Sequence, residues 1–253
     1  MVNLFQEPGQ VKAQQNTTQI LPETVWNNEP LPSGTPPEDK IVVTIARQFG
    51  SGGAEIGHLV AKTSKLQYID YGIIEEVARR FGVDVQHASR QDEQTAGMAG
   101  HILDAIRASN PFIVNYGTLS TQSPVPTQAK ELAYLHLTQR IVLELATEGD
   151  AVIVGRGSQF LLRNMPRTLH TYIFAPLPHR IKNVMEQYHL NHTAAERFIE
   201  QRDYEHDSYL RRYYGTDGHQ PGLYHLLINT SLFPLELAAD LIHQTLPVIK
   251  ALV

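Results

Sequence analysis

The chain has no cysteine among its 253 residues. Disulfides, thiolate nucleophiles and cysteine-held metals are therefore excluded, and a reducing, cytoplasmic setting fits. Basic residues are not in excess: 21 Lys and Arg face 26 Asp and Glu, for a net charge of −5. That balance argues against a broad nucleic-acid footprint. No apolar run approaches the roughly 20 residues of a membrane helix, so no membrane partner is expected. Met1 to Pro8 has neither the basic flank nor the apolar core of a signal peptide. Histidine is plentiful at twelve, but no HExxH or comparable ligand set accompanies His189 and His192, so a zinc site is not expected. No G-x-S-x-G elbow is present.

One further lack sits inside the most informative segment. Ile41 to Ile45 is β-branched and apolar, as in a buried parallel strand. Gly50, Gly52 and Gly53 follow, and Ala54 to Lys62 reads as a helix with Ile56, Leu59 and Val60 on one face. A strand, a glycine turn and a helix start make a phosphate cradle, because the first helical N–H groups lack partners and the dipole is positive there. Yet the Walker pattern G-x-x-x-x-G-K-[ST] fails: Gly53 stands where its lysine would be. The dinucleotide pattern G-x-G-x-x-G begins at Gly50 and Gly52 but meets Glu55 at its third glycine. Asp70, about twenty residues on, keeps a Rossmann-type NAD(P) reading open as an alternative.

Residues 1–39 are rich in Gln, Asn, Pro and Thr and read as a loosely attached arm, available to an unknown partner. From residue 40 onward, strands alternate with helices. Strands are expected at 41–46, 67–69, 112–115, 151–154, 169–174 and 224–228. Helices are expected near 128–148, 178–188, 193–212 and 234–251, with Thr193 and Glu196 forming a capping box. This alternation predicts an α/β fold with a parallel sheet covered on both faces.

Four segments line up in order: Ile45-Ala-Arg-Gln-Phe-Gly-Ser-Gly-Gly53, Tyr68-Ile-Asp-Tyr-Gly-Ile-Ile74, Val152-Ile-Val-Gly-Arg-Gly157 and Leu226-Leu-Ile-Asn-Thr-Ser231. Together they resemble the cytidylate kinase-like family, a branch of the P-loop nucleoside monophosphate kinases, over roughly residues 40–250. The resemblance implies a P-loop three-layer α/β/α sandwich with a five-stranded parallel sheet and a helical, arginine-bearing lid at about 180–218. It implies transfer of the γ-phosphoryl group of ATP, with Mg²⁺, to CMP, dCMP or a related nucleotide. Gly50, Ser51, Gly52 and Gly53 would hold the donor phosphates, with Ser51 facing Mg²⁺ or capping the helix. Asn229 would lie by the donor base. Arg47 would partly replace the missing lysine, and Arg180 and Arg202 would neutralise the transferring group from the lid, with Arg211 and Arg212 nearby. Asp70 and Arg156 would meet the acceptor. Arg156 also stands on its own placement, since an arginine at the carboxyl end of a buried parallel strand lies where ligands bind.

Three positions depart from the family pattern. Ala54 stands where an arginine is usual, His206 replaces the arginine of D-x-x-R after Asp203, and His225 interrupts Y-D-L at Tyr224 to Leu226. The first two remove fixed positive charge, or make it depend on pH. They support a second reading, a nucleotide-binding but catalytically impaired sensor or interaction module of the same fold.

Overall fold

The computed structural model describes residues 34–70 and 128–251. Among them, five parallel strands form one sheet in the order β2-β3-β1-β4-β5. The strands are β1 (Val42–Arg47), β2 (Gln67–Asp70), β3 (Ala151–Val154), β4 (Thr168–Phe174) and β5 (Leu226–Asn229). The described helices are α1 (Gly53–Ser64), α2 (Gln128–Glu148), α3 (Ser158–Leu161), α4 (Leu177–Tyr188), α5 (His192–Tyr214) and α6 (Leu235–Ala251). The expected strand at 112–115 lies outside the described residues.

β1 sits at the centre, and its side chains alternate between the two faces of the sheet. Ile45 points toward α1, where Gly57 lets the helix approach Ile45, Tyr68 and Val154 closely. The preceding Thr44 points the other way and meets the His170 ring at 2.7 Å. α1 also packs on α6, and α2 packs on α3 and β3. Ile41, Ile45, Ile56, Ile69, Ile141 and Leu145 are fully buried between these layers. Each such aliphatic side chain contributes about 2 kcal/mol on leaving water.

The strand order decides between the two templates left open by the sequence. A dinucleotide-binding unit pairs its first two strands directly. Here β3 lies between β1 and β2, so the Rossmann reading of Gly50, Gly52 and Asp70 does not hold. The chain leaves β1 toward one side for β2 and β3, then crosses to the other side for β4. β1 is therefore the switch point, and a crevice opens at its carboxyl end.

Residues 34–40 are mostly exposed but anchored to the fold at a few points. Pro36 is buried, its carbonyl accepts from Arg167, and Lys40 pairs with Asp150. Lys250 Nζ donates to the Asp39 carbonyl at 2.7 Å. The rest of the expected arm, residues 1–33, lies outside the described residues.

Smaller differences have local causes. The 23-residue α5 is capped by Asn191, whose side chain accepts from Ala194 N. A capping box from Thr193 is not formed, because the helix already begins at His192. The last strand starts at Leu226 rather than Tyr224, since Pro221–Leu223 forms a 3₁₀ turn just before it.

Candidate active site

Strand register brings the ends of β1, β2, β3, β4 and β5 to one edge. Arg47 pairs with Ile173, Asp70 with Val154, and Phe174 with Asn229. The glycine turn leaves β1 at this edge. Gly50 and Gly52 have φ of 76° and 81°, a region that disfavours side chains. A Cβ on Gly50 would lie 2.8 Å from Val184, and one on Gly52 would lie 2.7 Å from Leu235. Both glycines are thus required by conformation and by close packing.

Every backbone carbonyl from Gln48 to Gly52 is engaged. Ser51 Oγ donates to Gln48 O at 2.8 Å, and Arg180 Nη1 to Phe49 O at 3.2 Å. Asn183 Nδ2 donates to Gly50 O at 2.9 Å, Thr230 Oγ1 to Ser51 O at 2.8 Å, and Ile56 N to Gly52 O at 3.0 Å. The opposite edge of the turn is different. Among the described residues, no acceptor meets the N–H groups of Gly50, Gly52, Gly53 and Ala54, and no side chain caps α1. Such a turn, with its carbonyls tied back and its N–H groups free at a helix N-terminus, is a nest for an anion.

Ser51 is completely buried, and its hydroxyl donates to Gln48 O and Ile173 O. This corrects its reading as a Mg²⁺ ligand: the hydroxyl faces inward and stabilises the turn. The donor set around the loop therefore fits phosphate oxygens, while Ser51 does not supply a metal ligand.

Arg47 crosses the edge beside the loop. Its methylenes lie over Gly53, and its guanidinium lies against Gly155, where any Cβ would overlap it. Arg156 follows with φ of 56°, a strained conformation for a non-glycine residue. Its guanidinium sits 5.0 Å from the Tyr209 ring centre, and its carbonyl accepts from Tyr214 Oη at 3.2 Å. Tyr214 also stacks on Phe160. Burial pushes the hydroxyls of Tyr209 and Tyr214 above the ordinary phenol range. The structure thus places Arg47 and Arg156 on adjacent sides of the same crevice.

Asp70 is buried at the end of β2 and accepts from Tyr68 Oη at 3.1 Å. His58 of α1 stacks on Tyr68 at 3.5 Å. Burial holds the His58 ring below its usual pKa, against the opposing pull of Asp70 and Glu55. Asn229 lies at the far side of the edge, and its Oδ1 accepts from Ser231 N and Oγ at 3.1 and 2.8 Å. It closes the turn after β5.

The lid region departs most from expectation. Arg180 is nearly buried and bonded to Asp203 at 2.7 Å. It holds the loop from behind. Arg202 pairs with Glu205 at 3.3 Å and lies 5.2 Å from the Phe198 ring, in a half-exposed position. Arg211 faces Asp207 and Asp217, and Arg212 lies against Tyr213. The face of α5 that meets the crevice instead carries Asp203, His206 and Tyr209, bound to or beside Arg180, Arg47 and Arg156. His206 is held below its usual pKa first by burial and then by the charge of Arg47, with Asp207 and Asp203 opposing. Helical spacing puts Asp203, His206 and Tyr209 at successive three-residue steps along α5; Arg202 flanks this stripe, but its side chain turns to Glu205 and Phe198 instead.

A separate cluster closes the return from α5. Asp207 Oδ1 lies 3.2 Å from His219 Nε2, whose Nδ1 lies 3.1 Å from Tyr172 Oη. Tyr172 stacks on Tyr224 at 5.0 Å, and burial with Asp207 pushes its hydroxyl up to about 12.

Sequence reasoning missed Asn183 and the role of Thr230 in holding the loop. Thr230 lies inside the Leu226–Ser231 segment and so was within reach. Asn183 carries no spacing signal, because its partner is 133 residues away in sequence.

Comparison with known proteins bears on the fold and the family. A crystal structure of an uncharacterized protein from Eubacterium ventriosum ATCC 27560 has a TM-score of 0.54 at 18% identity, covering 82% of this chain and 99% of that one. At that identity the likeness shows the fold alone. The shikimate kinase from Acinetobacter baumannii, solved with shikimate, gives a TM-score of 0.44 at 12% identity, over 85% and 97% of the two chains. The shikimate kinase from Bacteroides thetaiotaomicron gives 0.44 at 11%, over 82% and 98%. No curated protein matches the sequence. A family model does match, over residues 42–232, which takes in the loop, Asp70, Arg156 and the turn after β5: the chain belongs to the cytidylate kinase-like family.

Proposed function

We propose that this protein is a nucleoside monophosphate kinase-like phosphotransferase, moving the γ-phosphoryl group of ATP to CMP, dCMP or a related nucleotide. The observation that carries the reading is the loop from Gln48 to Gly52, with all its carbonyls tied back and its N–H groups turned to the crevice. Backbone donors fixed in advance suit the spread negative charge of a transferring phosphoryl group, because they need no reorganisation during the reaction. In this reading Gly50, Gly52, Gly53 and Ala54 hold the donor phosphates by their N–H groups. Arg47 supplies the nearest guanidinium, and Arg156 and Asp70 face the acceptor. Asn229 bounds the side taken by the donor base. Mg²⁺ would come with the nucleotide and help neutralise phosphate charge, and Ser51, turned inward, would not hold it. A coupled ADP-release assay with CMP, dCMP, UMP and AMP tests this. Turnover with one acceptor, lost in Arg47→Ala, is expected; no turnover with any acceptor from pure protein would sink it.

A specific observation favours a second reading. The crevice face of α5 bears an imidazole, His206, where the resemblance implied an arginine, and Ala54 adds no charge beside the loop where a second was implied. Each missing guanidinium is worth on the order of 10³-fold in rate when it acts as an arginine finger. A nucleotide-binding sensor of the same fold would then bind ATP without turning it over. Thermal stabilisation by ATP, with no ADP released, would select this reading. Absence of any stabilisation would remove both.

A further inference from the structure

Three side chains outside the glycine turn hold it from behind. Arg180 and Asn183 stand one helical turn apart on α4 and donate to the carbonyls of Phe49 and Gly50. Thr230, buried in the turn after β5, donates to Ser51 O at 2.8 Å. Within each peptide plane the carbonyl of one residue and the N–H of the next point in opposite directions. Fixing Phe49 O therefore aims the Gly50 N–H at the crevice. Fixing Ser51 O aims the Gly52 N–H the same way. Asn183 fixes the plane between them, the turn in which Ser51 N reaches Gln48 O at 3.3 Å.

Physical chemistry says why such support matters. Glycines visit many backbone states, so an unheld turn with three of them would lose entropy when a ligand orders it. Donors that fix its peptide planes beforehand remove that cost from binding. The supports are themselves fixed: Asp203 holds Arg180 at 2.7 Å, and Val184 of α4 fills the space beside Gly50.

We propose that Arg180, Asn183 and Thr230 are positioning residues which shape the loop into a polyphosphate nest without touching the ligand. Arg180 thereby acts as a positioning residue and not as a catalytic one. The proposal rests on the anion-binding reading of the loop given above.

Calorimetric titration of the full chain with inorganic tripolyphosphate, well below the melting temperature, provides the test. The wild type binds. Thr230→Val keeps the shape and removes the donor, and Asn183→Asp replaces the donor by a group that repels Gly50 O. Each is expected to weaken binding about tenfold. Thr230→Ser keeps the hydroxyl and restores affinity, which a purely packing role would not predict. Lys182→Ala, an exposed change on α4, leaves affinity unchanged. Should the wild type not bind tripolyphosphate, the anion reading and this proposal both fall. Should it bind, and Thr230→Val and Asn183→Asp bind within twofold of it, only the positioning role is overturned. Equal loss in Thr230→Ser and Thr230→Val would also overturn it. If Thr230→Val does not fold, the Asn183→Asp and Thr230→Ser results still decide the question.

Discussion

Gly155 decides where Arg47 points. A methyl group there would occupy the space of the guanidinium, and the φ of 81° disfavours any side chain. Gly155→Ala is expected to cost about 1–2 kcal/mol in stability from the left-handed conformation alone. It should also push Arg47 off the turn, lowering ATP affinity about as far as Arg47→Ala does. Parallel titrations of the two variants check this. Nearby, Ala54 and His206 invite the reverse experiment. Ala54→Arg with His206→Arg restores the charges that the family pattern carries. The double variant is expected to raise the rate of ADP release at least tenfold if the protein is a weak kinase, as read by the same coupled assay. An unchanged rate would show that charge is not what limits turnover.

The hairpin of α4 and α5 has its own small core, built on Ile181, Val184, Ala195 and Ile199. Phe49 reaches into it from the loop and meets Phe198 edge-on at 5.0 Å. Phe49→Ala is therefore expected to loosen the hairpin and the loop together. It should cost about 3 kcal/mol and raise hydrogen exchange in both α4 and the first turn of α1. A change confined to α4 would show that the two are not linked. This hairpin also shows what could be read in advance. The existence and length of α4 and α5 were legible, because amphipathic spacing and end signals are local properties of the chain. So were the glycine turn and the edge placement of Asp70 and Arg156, which follow from strand ends. The direction in which Arg180, Arg202 and Asp203 point was not legible. It depends on which face of α5 meets the crevice, and that is set by packing of Leu210 and Tyr214 against Phe160. The inward turn of Ser51 was hidden for the same reason, since one of its acceptors, Ile173, lies 122 residues away.

At the scale of the whole molecule, the sheet buries one histidine, His170, that makes its stability depend on acid. His170 is almost wholly buried in β4, bonded to Thr44 and stacked on His225 at 5.3 Å. Burial, with His225 adding to it, lowers the His170 ring from 6.5 to about 4, against the Leu162 carbonyl. The unfolded chain then takes up a proton at higher pH than the folded one. This contribution to stability is full above about pH 6.5 and is lost as the pH falls toward 4. The loss amounts to roughly 3 kcal/mol. Denaturant unfolding of the wild type and of His170→Gln, compared across that range, should show the difference between them narrowing by that amount. A constant difference would mean that His170 titrates normally.

The bond from Thr230 to Ser51 also has a consequence in time. It spans 179 residues of sequence. A ribosome adds roughly 5–20 residues each second, so the glycine turn waits roughly ten to forty seconds for its last support to be made. Until residue 230 emerges, the nascent chain carries the whole loop motif but not the clamp that shapes it. Truncation just before β5, which also removes α6 and the Leu235 contact with Gly52, should weaken tripolyphosphate binding by more than Thr230→Val does, although every loop residue is present.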